Sequence, residues 1–188
     1  MKALVAFGTK YGSTEKVAEE IALALRTGGA LATVLDLRTR KQPSIDDFDL
    51  VVVVGSGICV GSWSKGALRF LEENRRKLAE KRVALFACSG DVVFGRNPIE
   101  ESRKLYLDNV AEKYGIVDPV STALFGGEID FDKYNFLVKA VMKKVGAGKN
   151  LEDRGVDLSK PYDFRNWDEI REWAKTLVEP QLAAQGHH

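Results

Sequence analysis

Thr9-Lys10-Tyr11-Gly12-Ser13-Thr14 reads T-x-x-G-x-T and joins the apolar run Ala3-Leu4-Val5-Ala6-Phe7 to a segment, 13–26, whose apolar residues Val17, Ile21 and Leu25 recur at helical spacing. A strand that ends in hydroxyl side chains and a glycine before turning into a helix makes a cup for phosphate. Amides at the helix start point at the anion, and the helix dipole favours negative charge there. Thr9, Ser13 and Thr14 add hydroxyl donors, Lys10 and Tyr11 flank them, and Gly12 lets backbone approach the guest. The pattern suits a phosphate monoester of the mononucleotide type. The plainer alternative is a helix capped by its own Ser and Thr.

Working outward, strand and helix patterns alternate. Strands are predicted at 2–7, 31–37, 50–54, 83–88 and 120–125, and the third, Leu50-Val51-Val52-Val53-Val54, has the β-branched run of a strand buried on both faces. Helices are predicted at 13–26, 65–78, 101–114, 134–145 and 166–178, the last with Trp167, Ile170, Trp173 and Leu177 on one face. Segment 38–49 is too short for more than a turn of helix, and 146–165 reads as a long connection. Five strands separated mostly by helices imply a doubly wound α/β fold with a parallel sheet and right-handed crossovers. Ligands in such sheets sit outside the strand C-termini, where the strand order reverses.

The 188 residues suit one domain, 1–185, and Gly186-His187-His188 reads as a cloning remnant. Twenty-eight basic and 27 acidic residues leave a net charge of +1, which gives no field for nucleic acid. There is no apolar stretch of membrane-spanning length, and the N-terminus enters a strand without a signal-peptide pattern, so the expectation is a cytoplasmic protein. The only histidines are the terminal pair, which removes histidine-based triads and histidine–metal sites, and no metal is expected. Strands one and three end in Phe7-Gly8-Thr9 and Gly55-Ser56-Gly57, without the carboxylates a phosphoacceptor domain needs.

Two more loops follow strand ends. Gly55-Ser56-Gly57-Ile58-Cys59-Val60-Gly61-Ser62-Trp63 would let a flat ligand lie on backbone, with Trp63 covering one ring face or packing inward. Its G-x-G-x-x-x-G spacing misses the dinucleotide fingerprint. Cys88-Ser89-Gly90-Asp91-Val92-Val93-Phe94-Gly95 offers Ser89, Gly90 and Asp91 to a ring edge, and Phe94 either to its other face or to the core. Cys59 and Cys88 fall at adjacent strand ends, where small residues beside a ligand are expected rather than a disulfide.

Together the three loops resemble those of flavodoxins, and the resemblance covers most of the chain. It implies a five-stranded parallel sheet of order 2-1-3-4-5 with helices on both faces and an extra C-terminal helix. It also implies FMN as cofactor, with phosphate on Thr9 to Thr14 and the isoalloxazine ring between Ser56 to Gly61 and Ser89 to Asp91. Within that family, Gly55-Ser56-Gly57-Ile58-Cys59-Val60-Gly61, Phe125-Gly126-Gly127 and the stretch from Arg165-Asn166-Trp167 to Trp173-Ala174 resemble the menaquinone-dependent protoporphyrinogen dehydrogenase branch. That branch implies flavin-borne dehydrogenation of protoporphyrinogen, with a quinone or other carrier as acceptor and a peripheral membrane contact. The alternative is an electron carrier that docks to redox partner proteins. Carriers of this family are usually strongly acidic, and a chain near neutrality favours the enzyme.

Overall fold

The computed structural model describes residues 1–39, 42–55, 58, 61–94, 98–144, 149, 152, 153, 155, 157 and 159–178, with backbone alone for 52–55, 94, 141 and 142. Ser56, Gly57, Cys59, Val60, Gly95 and the terminal Gly186-His187-His188 therefore lie outside the described residues.

Five parallel strands, β1 (Lys2–Phe7), β2 (Leu31–Asp36), β3 (Leu50–Gly55), β4 (Arg82–Cys88) and β5 (Ser121–Phe125), stand in the order β2-β1-β3-β4-β5. The register pairs Val5 with both Val34 and Val52, and Phe86 with Val54 and Ala123. Strand order reverses between β1 and β3, so the C-terminal ends of these two strands and of β4 converge, as the sequence implied.

One face of the sheet is covered by α1 (Ser13–Thr27) and the closing helix α8 (Trp167–Thr176). Val17, Ile21 and Leu25 meet Val5, Phe86 and Phe125 there, with Ile170, Ala174 and Leu177 completing the layer. Phe86, Phe125 and Trp173 form a triangle of rings, each pair 5.6 Å between centroids. The Trp173 indole N–H donates to Ser121 Oγ at 2.8 Å, so the apolar face of α8 carries one satisfied polar atom.

The other face packs against α2 (Lys65–Glu73), α3 (Arg75–Leu78) and a compound helix. The sequence predicts one helix over 65–78, but it breaks at Asn74, whose side-chain amide and backbone N–H both donate to the Phe70 carbonyl. The helix predicted at 101–114 starts earlier, after Pro98. It runs as α5 (Ile99–Arg103), a π-helical turn (Lys104–Asp108) and α6 (Asn109–Lys113). A short α4 (Asp91–Phe94) follows β4.

Between β2 and β3 the described residues hold a 3₁₀ turn, Ile45–Asp47, capped by Ser44. The long late connection contains an element that periodicity could not reveal. Tyr162–Asp163 (β7) pairs antiparallel with Glu128–Ile129 (β6), and a 3₁₀ turn (Phe131–Lys133) and α7 (Phe136–Lys144) lie between them in sequence. Gly126 makes the close approach possible, since a Cβ there would stand 2.3 Å from the Phe164 carbonyl oxygen.

Candidate functional site

The first loop closes on itself. Gly12 takes a left-handed conformation (φ +91°), and its amide donates to Thr9 Oγ1 at 2.8 Å. Gly12, not a Ser or Thr, is the N-cap of α1, and no side chain caps that helix start. The plainer reading of the motif, a helix capped by its own hydroxyls, therefore does not hold. Thr9 is 6% exposed and Thr14 fully enclosed, while Tyr11, Gly12 and Ser13 are half-buried and Lys10 is exposed. A left-handed glycine at an uncapped helix start, ringed by hydroxyls, fits an anion of phosphate type.

The Thr14 side chain lies in hydrogen-bond contact with the Cys88 thiol, at the end of β4. Burial pushes that thiol up to about 12, against opposing effects from the Arg165 charge and the Thr14 hydrogen bond. Cys88 is free and buried, and its thiol stays neutral at physiological pH.

Arg165, just after β7, reaches the same loop from beneath. Its side chain is 3% exposed, and Nη1 donates to the Ser13 carbonyl at 2.9 Å. Nε and Nη2 form a fork on Asp163, both at 2.7 Å, and Nη2 also reaches Glu128 at 2.9 Å. The guanidinium stacks on Trp167, 4.6 Å from the ring centroid. Burial works to raise the Asp163 carboxyl, but the hydrogen bonds from Arg165 outweigh it and hold the group below its ordinary value. The ribbon and the first loop are thus fastened by one buried cation. Sequence reasoning saw Arg165 only as part of a family resemblance, because the partners that bring it to the first loop and to β6, Ser13 and Glu128, are distant in the chain.

The second and third loops meet across β3 and β4. The Ile58 amide donates to the Cys88 carbonyl at 2.9 Å, and Gly61 is left-handed (φ +77°). Ser89 is buried, its amide donates to the Phe125 carbonyl and its Oγ accepts from the Asp91 amide. Gly90 and Asp91 remain half-buried at the surface. The backbone of Phe94 ends α4.

Trp63 is 4% exposed and packs among the apolar residues under α2, so its indole is a wall of the core rather than an open platform for a ring. Its N–H donates at 2.7 Å to the carbonyl of Tyr106, in the π-helical turn. The Tyr106 hydroxyl donates to Asp91 Oδ2 at 2.8 Å. One residue therefore ties the second loop to the third, and π-turns recur at such places. Tyr106 carries no motif, and only its helical spacing was visible.

Comparison with known proteins agrees with this geometry. Residues 4–154 match the Flavodoxin domain family. The protoporphyrinogen IX dehydrogenase [quinone] of Escherichia coli K12 is 23% identical over 185 residues, covering 95% of each chain, and its counterpart in strain O157:H7 matches equally. A flavodoxin of Streptococcus pneumonia TIGR4 covers 95% of each chain at 15% identity and a TM-score of 0.53. A mutant Fusobacterium nucleatum flavodoxin bound to flavin mononucleotide covers 66% of this chain and 68% of its own, with 19% identity and a TM-score of 0.43. The sheet order and the family match agree, and the chain belongs to the flavodoxin domain family.

Proposed function

We propose that this chain is an FMN-dependent oxidoreductase that dehydrogenates an organic substrate, with protoporphyrinogen as the substrate its E. coli relative suggests, and delivers the electrons to a quinone. The observation that carries the flavin reading is the start of α1, where Gly12 is left-handed and no side chain caps the first turn. Thr9, Lys10, Tyr11, Gly12, Ser13 and Thr14 would hold the phosphate. Ser56 to Gly61 and Ser89 to Asp91, with Phe94, would border the ring. Trp63 would act from behind, by fixing the second loop through Tyr106.

Bound FMN supplies the two-electron relay between substrate and acceptor. The chain supplies a fixed, partly dry setting. Burial of Thr9, Thr14 and Ser89 keeps water from the loop floors, and the Tyr106–Asp91 hydrogen bond fixes the third loop. Each dehydrogenation step releases two electrons and two protons, reduction of one quinone consumes them, and three such rounds convert protoporphyrinogen to protoporphyrin without a side-chain nucleophile.

A feature of α7 supports a lipid-soluble acceptor. Phe136 is 77% and Leu137 60% exposed, and Lys139, Lys143 and Lys144 are exposed on the same short helix. Apolar side chains beside several cations suit an anionic lipid surface. No helix among the described residues is long and apolar enough to cross a membrane, so the contact would be peripheral.

The competing reading is a carrier without substrate chemistry of its own. Anaerobic protoporphyrinogen oxidation with a quinone acceptor, set beside reduction by a flavodoxin reductase, separates the two. Turnover with porphyrinogen and quinone is expected. Reduction by the reductase with no porphyrinogen turnover would establish the carrier instead.

A further inference from the structure

A cavity of about 590 Å3 opens beside the first loop, over the C-terminal ends of β1 and β2. Gly8, Thr9 and Lys10 come from the β1 end, Leu37 and Arg38 from the β2 end, and the start of α2 closes it. The loop after β4 contributes nothing among the described residues. Ser62 and Trp63 bring the end of the second loop to its wall, so the cavity lies between the first loop, the end of the second and the end of β2.

Its charge is one-sided. Lys10, Arg38 and Lys65 all line it. Arg38 is paired with Asp36 and Glu15, but among the described residues Lys10 and Lys65 form no ion pair. Lys65 is the first residue of α2, the end at which the helix dipole disfavours a cation, and the first turn holds no acid to offset it. Local rules would place Asp or Glu there.

The floor is also shaped by glycine. A Cβ on Gly8 would run into Ser64 Oγ, and one on Gly66 would stand 2.8 Å from the Leu37 carbonyl oxygen. Those two glycines let the start of α2 close against both strand ends and bring Lys65 beside Arg38. Ser62 and Ser64 add hydroxyls to the lining, while Leu37 and an edge of Trp63 give it an apolar side.

We propose that this cavity is a second anion site, separate from the cup at the start of α1, which receives a carboxylate or phosphate arm of the small molecule that exchanges electrons with the flavin. The inference rests on the flavin reading for the ligand's role, but the site itself rests on the cavity and its cations. Thr9 and Lys10 lie on the rim of both sites, so an arm held here keeps its parent molecule beside the cofactor.

Two pairs of probes test it, titrated into FMN-loaded and FMN-free protein. Mesoporphyrin IX and its dimethyl ester differ only in free carboxylates, and NADPH and NADH only in one phosphate. Discrimination within either pair is expected at about tenfold, the scale of one charge-assisted hydrogen bond, and which pair discriminates identifies the arm. In Lys65→Gln that discrimination is expected to fall about fivefold or more, as charge-assisted bonds outweigh neutral ones, with FMN affinity unchanged. Arg38→Gln is the second variant, and both positions are exposed enough to keep the fold.

No discrimination in either pair would overturn the proposal, as would discrimination that survives in both variants. Loss of FMN binding in wild-type protein with the probes still discriminating would refute the flavin reading and leave the anion site standing. FMN binding without probe discrimination would do the reverse.

Discussion

The starts of α1 and α8 follow opposite rules. Asn166 caps α8 by accepting from the Glu169 amide, and Asp168 and Glu169 occupy its first turn. That helix end is satisfied by its own sequence and has no polar work left to do. At α1 the residues look equally suited to capping, yet the N-cap is a left-handed glycine and no side chain serves the first turn. Its one early acid, Glu15, lies 3.7 Å from Arg38 instead. The start of α1 thus has hydroxyls beside it but no side-chain cap, whereas the start of α8 caps itself.

Substitutions can break or sharpen that contrast. The largest effect is expected at Arg165, which underlies the α1 start without capping it. Arg165→Met leaves Asp163 without an ion-pair partner and Glu128 with Lys133 alone, and should cost about 2–3 kcal/mol in urea unfolding, less than a fully buried pair because Asp163 is partly exposed. FMN should also leave faster from this variant, as the Ser13 carbonyl loses its anchor. Unchanged stability would show that the fork does not hold the ribbon.

The same cluster predicts an acid weakness. The Asp163 carboxyl titrates below its ordinary value in the fold, so its contribution is present above the unfolded-state value of about 4 and is lost as pH falls through the lower folded value. Protection of the β6 and β7 amides, each exchange rate divided by the intrinsic rate at the same pH, should drop below that range in wild type and drop less in Asp163→Asn. An equal drop in both would assign the weakness elsewhere.

Gly12→Ala should come next. No atom lies near a Cβ at that position, so the cost is conformational, about 1–2 kcal/mol for a left-handed non-glycine residue. Part of it should appear as weaker FMN binding. Asn166→Ala should cost about 1 kcal/mol of stability by loss of the cap, with FMN affinity unchanged. Equal effects of these two variants on FMN would erase the contrast between the helix starts.

The smallest effect is expected for Tyr106→Phe, which removes the hydroxyl bound to Asp91. About 0.5–1.5 kcal/mol should be lost from stability, together with a shift in the flavin midpoint potential. A potential identical to wild type would confine Tyr106 to packing.

Much of the fold was legible because it is written in short-range patterns. The β-branched run 50–54 announced a central strand, and Val17, Ile21 and Leu25 announced the buried face of α1. The break at Asn74 and the π-turn around Tyr106 were hidden, since both depend on which carbonyls find outside partners. The β6–β7 ribbon has two residues per strand, too few for any period to register.

At the site, the first loop was readable as a motif, but the state of its helix end was not. Ser and Thr after a glycine fit a capped helix and an open one equally well, and only the backbone of Gly12 separates them. Trp63 had two readings in the sequence, and its burial favours the inward one. Its place in a glycine-rich loop suggested a ring platform, whereas the distant Tyr106 carbonyl draws the indole inward. Arg165 was invisible as a site residue because its partners, Ser13 and Glu128, lie far off in sequence.

The most direct test compares FMN with riboflavin by quenching of flavin fluorescence on the cofactor-free protein, since the two differ only in the phosphate. If the open start of α1 is the phosphate cup, FMN should quench saturably at one per chain and riboflavin should bind weaker by about a hundredfold or more, the scale of two charge-assisted hydrogen bonds. Equal affinities for FMN and riboflavin would contradict the account, because the first loop would then hold no phosphate.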